Sequence, residues 1–244
     1  IIKFGSIGQF RNFIKTIQYL GWRKLNLIGT VKIHGTNSSV GLDLKDNSLF
    51  YQSRNRVLSL DDDNYDFAKY IEDNKAEFLK IFDEIKNKIN TEKYDSIIIY
   101  GELAGKGIQS KVAVSQLDRF FAPFSIVGVN KNTVDELDVK LNINESTRFY
   151  PVETFGVYNV ELDLDNVHLA QQKIKDLTIS IENECPVGKY FGVSGTGEGL
   201  VFTDETKQYS FKSKGEKHSV SKVCIWIFGV QLYKRVFQNS SIKR

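Results

Sequence analysis

Apolar residues along the chain fall into blocks of two periods, one helical and one extended. Ile7, Phe10, Phe13, Ile14, Ile17 and Leu20 recur at helical spacing behind Ser6, a residue type that caps helix starts, and Gly21 stands where a helix would stop. Three short β-type runs follow, at residues 25–33, 39–44 and 48–53, separated by turns that contain Gly or Asn. They predict an antiparallel meander. The period then returns to helical, and Phe67, Tyr70, Ile71, Phe78, Ile81, Phe82 and Ile85 predict one long amphipathic helix over 64–89. Residues 96–103 and 119–129, rich in Ile, Tyr, Phe and Val, read as buried strands. A third helix is expected over 166–184, ended by Cys185-Pro186, then strands at 199–202 and 208–213. The apolar stretch 223–233 fits helix or strand equally. The fold class is α+β, with strands dominating the middle of the chain. No repeat, low-complexity segment or Pro-rich linker divides residues 1–244, so one domain is expected.

Composition narrows the class. The 244 residues are 41% hydrophobic and 26% charged, and no apolar stretch reaches the roughly 18 to 20 residues needed to span a bilayer. The first residues lack the layout of a signal peptide. Cys185 and Cys224 lie far apart without a CxxC or Cys/His cluster, so neither a zinc site nor a disulfide framework is suggested, and reduced thiols point to the cytoplasm. A chain that contains no Met is expected to be a piece of a longer protein. The net charge of +3 hides a basic end: residues 206–244 carry nine Lys and Arg against the single acid Glu216. Basic density of this kind attracts nucleotides and nucleic acid, although a solvated lysine-rich surface is its commoner meaning.

Several residues stand out chemically. Lys32 closes the apolar run 25–33 and is followed by His34-Gly35-Thr36-Asn37; alternation sets Lys32 and His34 on one face and Val31 and Ile33 on the other. Desolvation beside a buried strand favours a neutral, nucleophilic amine, but an isolated lysine at a strand end is usually just solvated. Lys212 and Lys214 share one face of a strand, where their repulsion would be relieved by an anion such as phosphate, or by water on an exposed edge. Glu102 follows the apolar strand residues Tyr100-Gly101, and Glu198 enters a strand from a glycine loop. Either suits a metal or a ribose hydroxyl, or is a plain strand-end acid. Asp61-Asp62-Asp63 are more readily explained by the positive end of the following helix than by a cation. Gly195, Gly197 and Gly199 lack the strand-then-helix context of a dinucleotide loop, His34, His168 and His218 lack metal-ligand spacing, and no GxSxG elbow exists.

Taken in order, these elements resemble a known set. Lys32-Ile33-His34-Gly35-Thr36-Asn37 is similar to the nucleotidyltransferase motif of the covalent lysyl-adenylate superfamily, in the KxHGTN form of RNA ligases of the RNA ligase 2 type. Ser53-Arg54-Asn55 resembles motif Ia, Tyr100-Gly101-Glu102 motif III, and Phe121-Ala122-Pro123-Phe124-Ser125-Ile126 motif IIIa. Glu198-Gly199-Leu200-Val201-Phe202 resembles motif IV and Phe211-Lys212-Ser213-Lys214 motif V. Residues 215–220 also look like phage and viral members, a branch in which the enzyme works in a host cytoplasm.

The resemblance implies an adenylyltransferase domain of antiparallel sheets flanked by helices, as in ATP-dependent ligases, with motifs I to V within 32–214. A C-terminal nucleic-acid-binding domain, usual in relatives, is expected to be absent or truncated here. The implied reaction is ATP-dependent strand joining through a covalent AMP on Lys32, an adenylylated 5′-phosphate end and attack by a 3′-OH. Lys212 and Lys214 would contact the α-phosphate, Glu198 would hold Mg²⁺ or Mn²⁺, and Glu102 the ribose. Arg54 would touch sugar or phosphate, Phe124 would stack on adenine in preference to Phe120 or Phe121, and Ile33 would border the nucleotide. His34 and Asn37 are expected to matter in the later steps. The implied partner is RNA with 5′-phosphate and 3′-OH ends, including a nicked duplex, with no membrane and a monomeric enzyme. Asn37 stands where DNA ligases and capping guanylyltransferases of the superfamily carry Arg, which argues against those alternatives; a non-catalytic RNA-end-binding module is the alternative from another class.

Overall fold

The β-type runs pair into two sheets because each exposes one apolar face that a single sheet cannot cover. The computed structural model describes residues 1–5, 7–218 and 232–234. In chain order these form α1 (Phe10–Tyr19), β1 (Lys24–Lys32), β2 (Thr36–Asp43), β3 (Leu49–Ser53), β4 (Val57–Leu58), α2 (Phe67–Asp73) and α3 (Lys75–Lys86). Then come β5 (Ser96–Ala104), β6 (Phe120–Val129), β7 (Val134–Glu136), β8 (Val157–Asp163), α4 (Val167–Asn183), α5 (Pro186–Tyr190), β9 (Gly199–Asp204), β10 (Tyr209–Lys214) and β11 (Leu232–Lys234). The first sheet runs β11-β10-β9-β1-β8 and the second β4-β3-β2-β5-β6-β7, with every pairing antiparallel.

Three apolar clusters hold these layers. Phe13 and Ile17 of α1 and Ile174 and Ile181 of α4 pack with Leu27, Val31, Phe202 and Phe211 of the first sheet. On one face of the second sheet, Val40, Leu42, Ile97 and Ile99 meet Phe67 and Ile71 of α2 and Phe78 and Phe82 of α3. On its other face, Ile98, Tyr100, Val127 and Val129 are covered by Ile2, Phe4, Phe50 and Phe124. Strand β5 is therefore buried on both faces, which explains its unbroken apolar reading. Burying each such large side chain contributes roughly 1.5–3 kcal/mol.

The α+β expectation and the antiparallel sheets hold, with local differences. The expected helix over 64–89 is two helices: Asn74 breaks it, its backbone leaving the helical region and its side-chain amide donating to the Tyr70 carbonyl at 2.8 Å. Asn competes in this way with the helical ladder, a local effect that apolar period does not register. Of the three aspartates, Asp63 serves the start of α2, accepting from the Ala68 and Lys69 backbone amides at 2.9 and 3.0 Å. Pro186 does end the third helix, but as the first residue of α5. Strand β8 was not visible in the sequence because only Val160 and Leu162 in it are buried. The first helix starts later than expected, at Phe10 with Gln9 and not Ser6 before it, and Gln9 gives no side-chain cap; Ser6, Cys224 and most of 223–233 lie outside the described residues, while Leu232 and Tyr233 fall in β11. Cys185 is buried and free of any disulfide, and burial pushes its thiol up from its ordinary pKa.

The chain passes from the first sheet to the second between Lys32, the last residue of β1, and Thr36, the first of β2. Gly35 makes that corner, and a Cβ there would collide with the Leu103 carbonyl oxygen of β5. A second close approach, at Gly29, generates a stability prediction. A Cβ at Gly29 would lie 2.5 Å from the ring of Phe202, which is fully buried and stacked 5.2 Å from Phe211. Gly29→Ala is expected to lower the unfolding free energy by about 1–3 kcal/mol, read from the urea midpoint at unchanged slope.

Candidate active site

Antiparallel register builds the centre of the site. Lys32 pairs with Gly199, and Gly199 pairs on its other side with Lys214. Glycine puts no side chain between the two lysines, and the residue before it, Glu198, bridges both. Lys32 Nζ donates to Glu198 Oε2 at 2.7 Å and Lys214 Nζ to Oε1 at 2.6 Å. His34 Nδ1 lies 3.1 Å from Oε2, a hydrogen bond when that nitrogen carries the proton. Only 2% of Glu198 is exposed. Burial by itself would push its carboxyl up, but hydrogen bonding from His34 and the charges of Lys32 and Lys214 hold it well below the usual carboxylate range.

Two register positions into the sheet, Thr30 pairs with Val201 and Val201 with Lys212. Lys212, Lys214 and Lys32 therefore share one face, as alternation in the sequence implied. Burial, together with the like charges of Lys214, Lys32 and Arg54, lowers the Lys212 pKa from its ordinary value. An anion placed there would relieve that repulsion. Val201 and Thr30 share this face by register but had no chemical signal in the sequence; only strand alternation could have found them.

The second sheet supplies the opposite wall. Glu102 pairs with Asn37 across β2 and β5, and its Oε1 accepts the Gly35 backbone amide at 3.1 Å, next to Lys32 and His34. The Gly35 carbonyl in turn accepts from Gln109 at 3.2 Å, another residue the sequence did not single out. Burial raises the Glu102 carboxyl to about 7, with Glu198 adding to the rise and Lys32 opposing it. The two carboxyls of one site are thus pushed in opposite directions, Glu198 down and Glu102 up into the range where it titrates around neutrality.

Phe124 is the extra residue of a β-bulge in β6 opposite Tyr100 and Gly101, and it is half-buried. Its ring meets Phe4 edge-on at 4.9 Å. Phe120 and Phe121 are fully buried in separate clusters and have no surface to offer a ligand. The side chain of Ile33 is likewise in the first core, so only its backbone faces the site. Arg54 is exposed in the bend after β3, close enough to act on Lys212. His34, Glu102, Glu198, Lys32, Lys212 and Lys214 converge, with Arg54 acting on Lys212; Phe124 contacts Phe4 and the apolar clusters. His168 is away from this cluster on the exposed side of α4, whereas His218, which carried no spacing signal, has its ring 5.4 Å from that of His34.

Among the described residues no group of three or more His, Cys, Asp or Glu is placed to hold a metal. Glu198, the carboxylate expected in such a role, has both oxygens engaged, Oε2 by Lys32 and His34 and Oε1 by Lys214. A single carboxylate fits Mg²⁺ or Mn²⁺ that completes its shell with water and substrate phosphates, and not a cage made wholly by protein. Among the described residues no helix is long and apolar enough to cross a membrane.

The sequence model of RNA ligase matches residues 25–223. The chain belongs to the RNA ligase family. No curated protein matches it. Solved structures of the Naegleria gruberi RNA ligase share the RNA ligase fold seen here: a lysine-to-alanine variant with ATP and Mn has a TM-score of 0.56 at 18% identity, over 89% of this chain and 57% of that one. The same ligase with pyrophosphate gives 0.56 at 18%, and an aspartate-to-alanine variant without ligand 0.53 at 19%. This chain spans a little over half the length of those proteins.

The raised Glu102 pKa fixes the sign of a pH effect. A carboxyl with a folded pKa of about 7 against an ordinary 4.5 binds its proton more tightly when folded. Its contribution to stability is whole below the unfolded value and is lost as pH rises through the folded one. Without metal or nucleotide, the unfolding free energy of the wild type should fall by on the order of 2 kcal/mol more than that of Glu102→Gln between pH 5 and pH 8. Glu198, shifted the other way, loses its contribution below pH 4.5, outside this window.

Proposed function

We propose that residues 1–244 form the adenylyltransferase domain, with its motifs within 32–214, of an ATP-dependent RNA ligase that joins a 5′-phosphate end to a 3′-OH end, in a duplex nick or between open ends, as a monomer in the cytoplasm. One observation supports this reading above the rest: a strand-end lysine, Lys32, and two further lysines, Lys212 and Lys214, are gathered on one face around a single buried carboxylate. A plain binding surface does not need a lysine buried against an acid, since a solvated ammonium holds phosphate equally well.

The residues divide the work. In the first step the Lys32 amine, freed from Glu198 and its proton, attacks the α-phosphorus of ATP; a P–N bond forms, the P–O bond to pyrophosphate breaks, and AMP remains on Lys32. Lys212 and Lys214 offset the charge that develops on the phosphate oxygens. A divalent ion at Glu198 supplies further charge stabilisation on the phosphates when bound. Glu102 holds the ribose, Arg54 contacts sugar or phosphate, and Phe124 offers its ring to adenine. An oxygen of an RNA 5′-phosphate then takes the AMP, and a 3′-OH displaces AMP to close the strand, with His34 and Asn37 serving these later steps. Among the Naegleria gruberi ligase structures, those with ATP and Mn and with pyrophosphate hold a substrate and a product of the first step.

Incubation with ATP labelled at the α-phosphate and with Mg²⁺ or Mn²⁺ is expected to leave label on the denatured wild-type chain and none on Lys32→Ala. Glu198→Gln should lower the labelling rate at least about tenfold, the scale of losing one positioned charge contact. A folded, AMP-free wild type that takes no label would turn the reading to a non-catalytic RNA-end-binding module.

A further inference from the structure

Beyond the ends of β1 and β10 the two imidazoles of His34 and His218 meet edge to face, their centroids 5.4 Å apart at 62°. His34 is the residue already placed in the later steps, with Nδ1 turned to Glu198. His218 closes a single helical turn, Glu216–His218, that follows Lys214 at once. A residue far away in sequence fixes that turn. Glu182, near the end of α4, is 8% exposed, and its Oε1 accepts the Lys217 backbone amide at 2.7 Å.

The same carboxylate lies 3.9 Å from His218 Nδ1, too long for a hydrogen bond, and that nitrogen is buried with no hydrogen-bond partner among the described residues. Gly215 packs directly on Glu182, since any Cβ there would collide with Oε1, and the Gly215 amide donates to the Glu198 carbonyl at 3.0 Å. Thr178, one turn earlier in α4, is tied to Ser213 of β10 by a 2.6 Å hydroxyl pair. Helix α4 therefore grips β10 and its exit at three points, and what the exit presents to the site is the His218 ring.

The placement along the row tells which step this grip serves. Lys212 and Val201 lie inside the sheet, Lys32, Gly199 and Lys214 at its end, and the two imidazoles past the end. With AMP on Lys32 lying toward Lys212, as the function proposed above has it, a second phosphate reaches it from the outer end of the row, where the two imidazoles lie. We infer that Glu182 and His218 are positioning residues for the transfer of AMP from Lys32 to an RNA 5′-phosphate: Glu182 fixes the turn, the turn fixes His218, and His218 holds the ring of His34 at the attacked phosphorus. This deepens the function proposed above and rests on it. In the transfer a 5′-phosphate oxygen attacks the AMP phosphorus, a P–O bond forms, the P–N bond to Lys32 breaks, and the amine leaves with a proton from water.

The test separates the two half-reactions in the whole chain. Wild type, His218→Ala, His218→Phe, Glu182→Ala and Glu182→Gln are charged with labelled ATP, and release of label to a 5′-phosphorylated RNA is followed after unreacted ATP is removed. His218→Ala and Glu182→Ala should slow release at least about tenfold more than they slow charging, the loss a misplaced group produces. His218→Phe, which keeps the ring edge, and Glu182→Gln, which keeps the acceptor for Lys217, should recover most of it. A purely structural role would move charging and release together and would not be rescued by Phe; that result overturns the inference, as does full-rate release from His218→Ala. A wild type that charges but never releases label to RNA overturns it too, whereas a wild type that never charges brings down the underlying function and is seen before any variant is made.

Discussion

A carboxylate shut away from water must be paid in positive charge, and the Glu198 carboxylate sets the terms for the rest of this site. Its burial is tolerable because Lys32, Lys214 and His34 reach it from three directions. Those partners come from β1, β10 and the corner after β1, so neutralising one acid locks the register of three neighbouring segments. The lysines are held in turn, and ammonium groups that solvent would otherwise leave mobile are fixed to a common point. Breaking this pairing by removing one member strands a buried charge, which costs far more than the pair itself contributes.

The second constraint is steric. Gly35 passes so close to β5 that no side chain fits, and its amide is the donor that Glu102 accepts. The corner that carries the chain from one sheet to the other is therefore also the link between the two carboxylates. Their contrast follows from neighbours: Glu198 has two ammonium groups and an imidazole in contact, whereas Glu102 has one backbone amide and must offset its burial by taking up a proton. Cationic partners at one acid and their scarcity at the other push the two carboxyls in opposite directions within one cleft.

Helix α4 extends this logic outward. It packs beneath the first sheet through Ile174 and Ile181, and near its end Glu182 and Thr178 add polar ties to the β10 exit. A scaffold helix so placed transmits rigidity to a turn that would otherwise be an exposed loop, a common way for a site to be made precise on a small surface.

The sequence determined the chemistry and the kinds of element. Lys32, Glu102, Glu198, Lys212 and Lys214 were legible only as a set, because each alone at the edge of an apolar run is most often solvated; strand alternation already put Lys212 and Lys214 on one side. The family followed from the order of these motifs, and the α+β class from the two periods of the apolar pattern. What tertiary structure alone decided is the partnership: that Glu198 meets Lys32 across 166 residues, that Val201 shares their face, and that Glu182 meets the turn that ends in His218. Local period cannot carry such information, because it reports the face of a residue on its own element. Strand register and helix packing are set by contacts distant in sequence, which is why the tie between Glu182 and the turn after Lys214 went unread, whereas Asn74 was missed because its side chain competes locally with the helix and β8 because only two of its residues are buried.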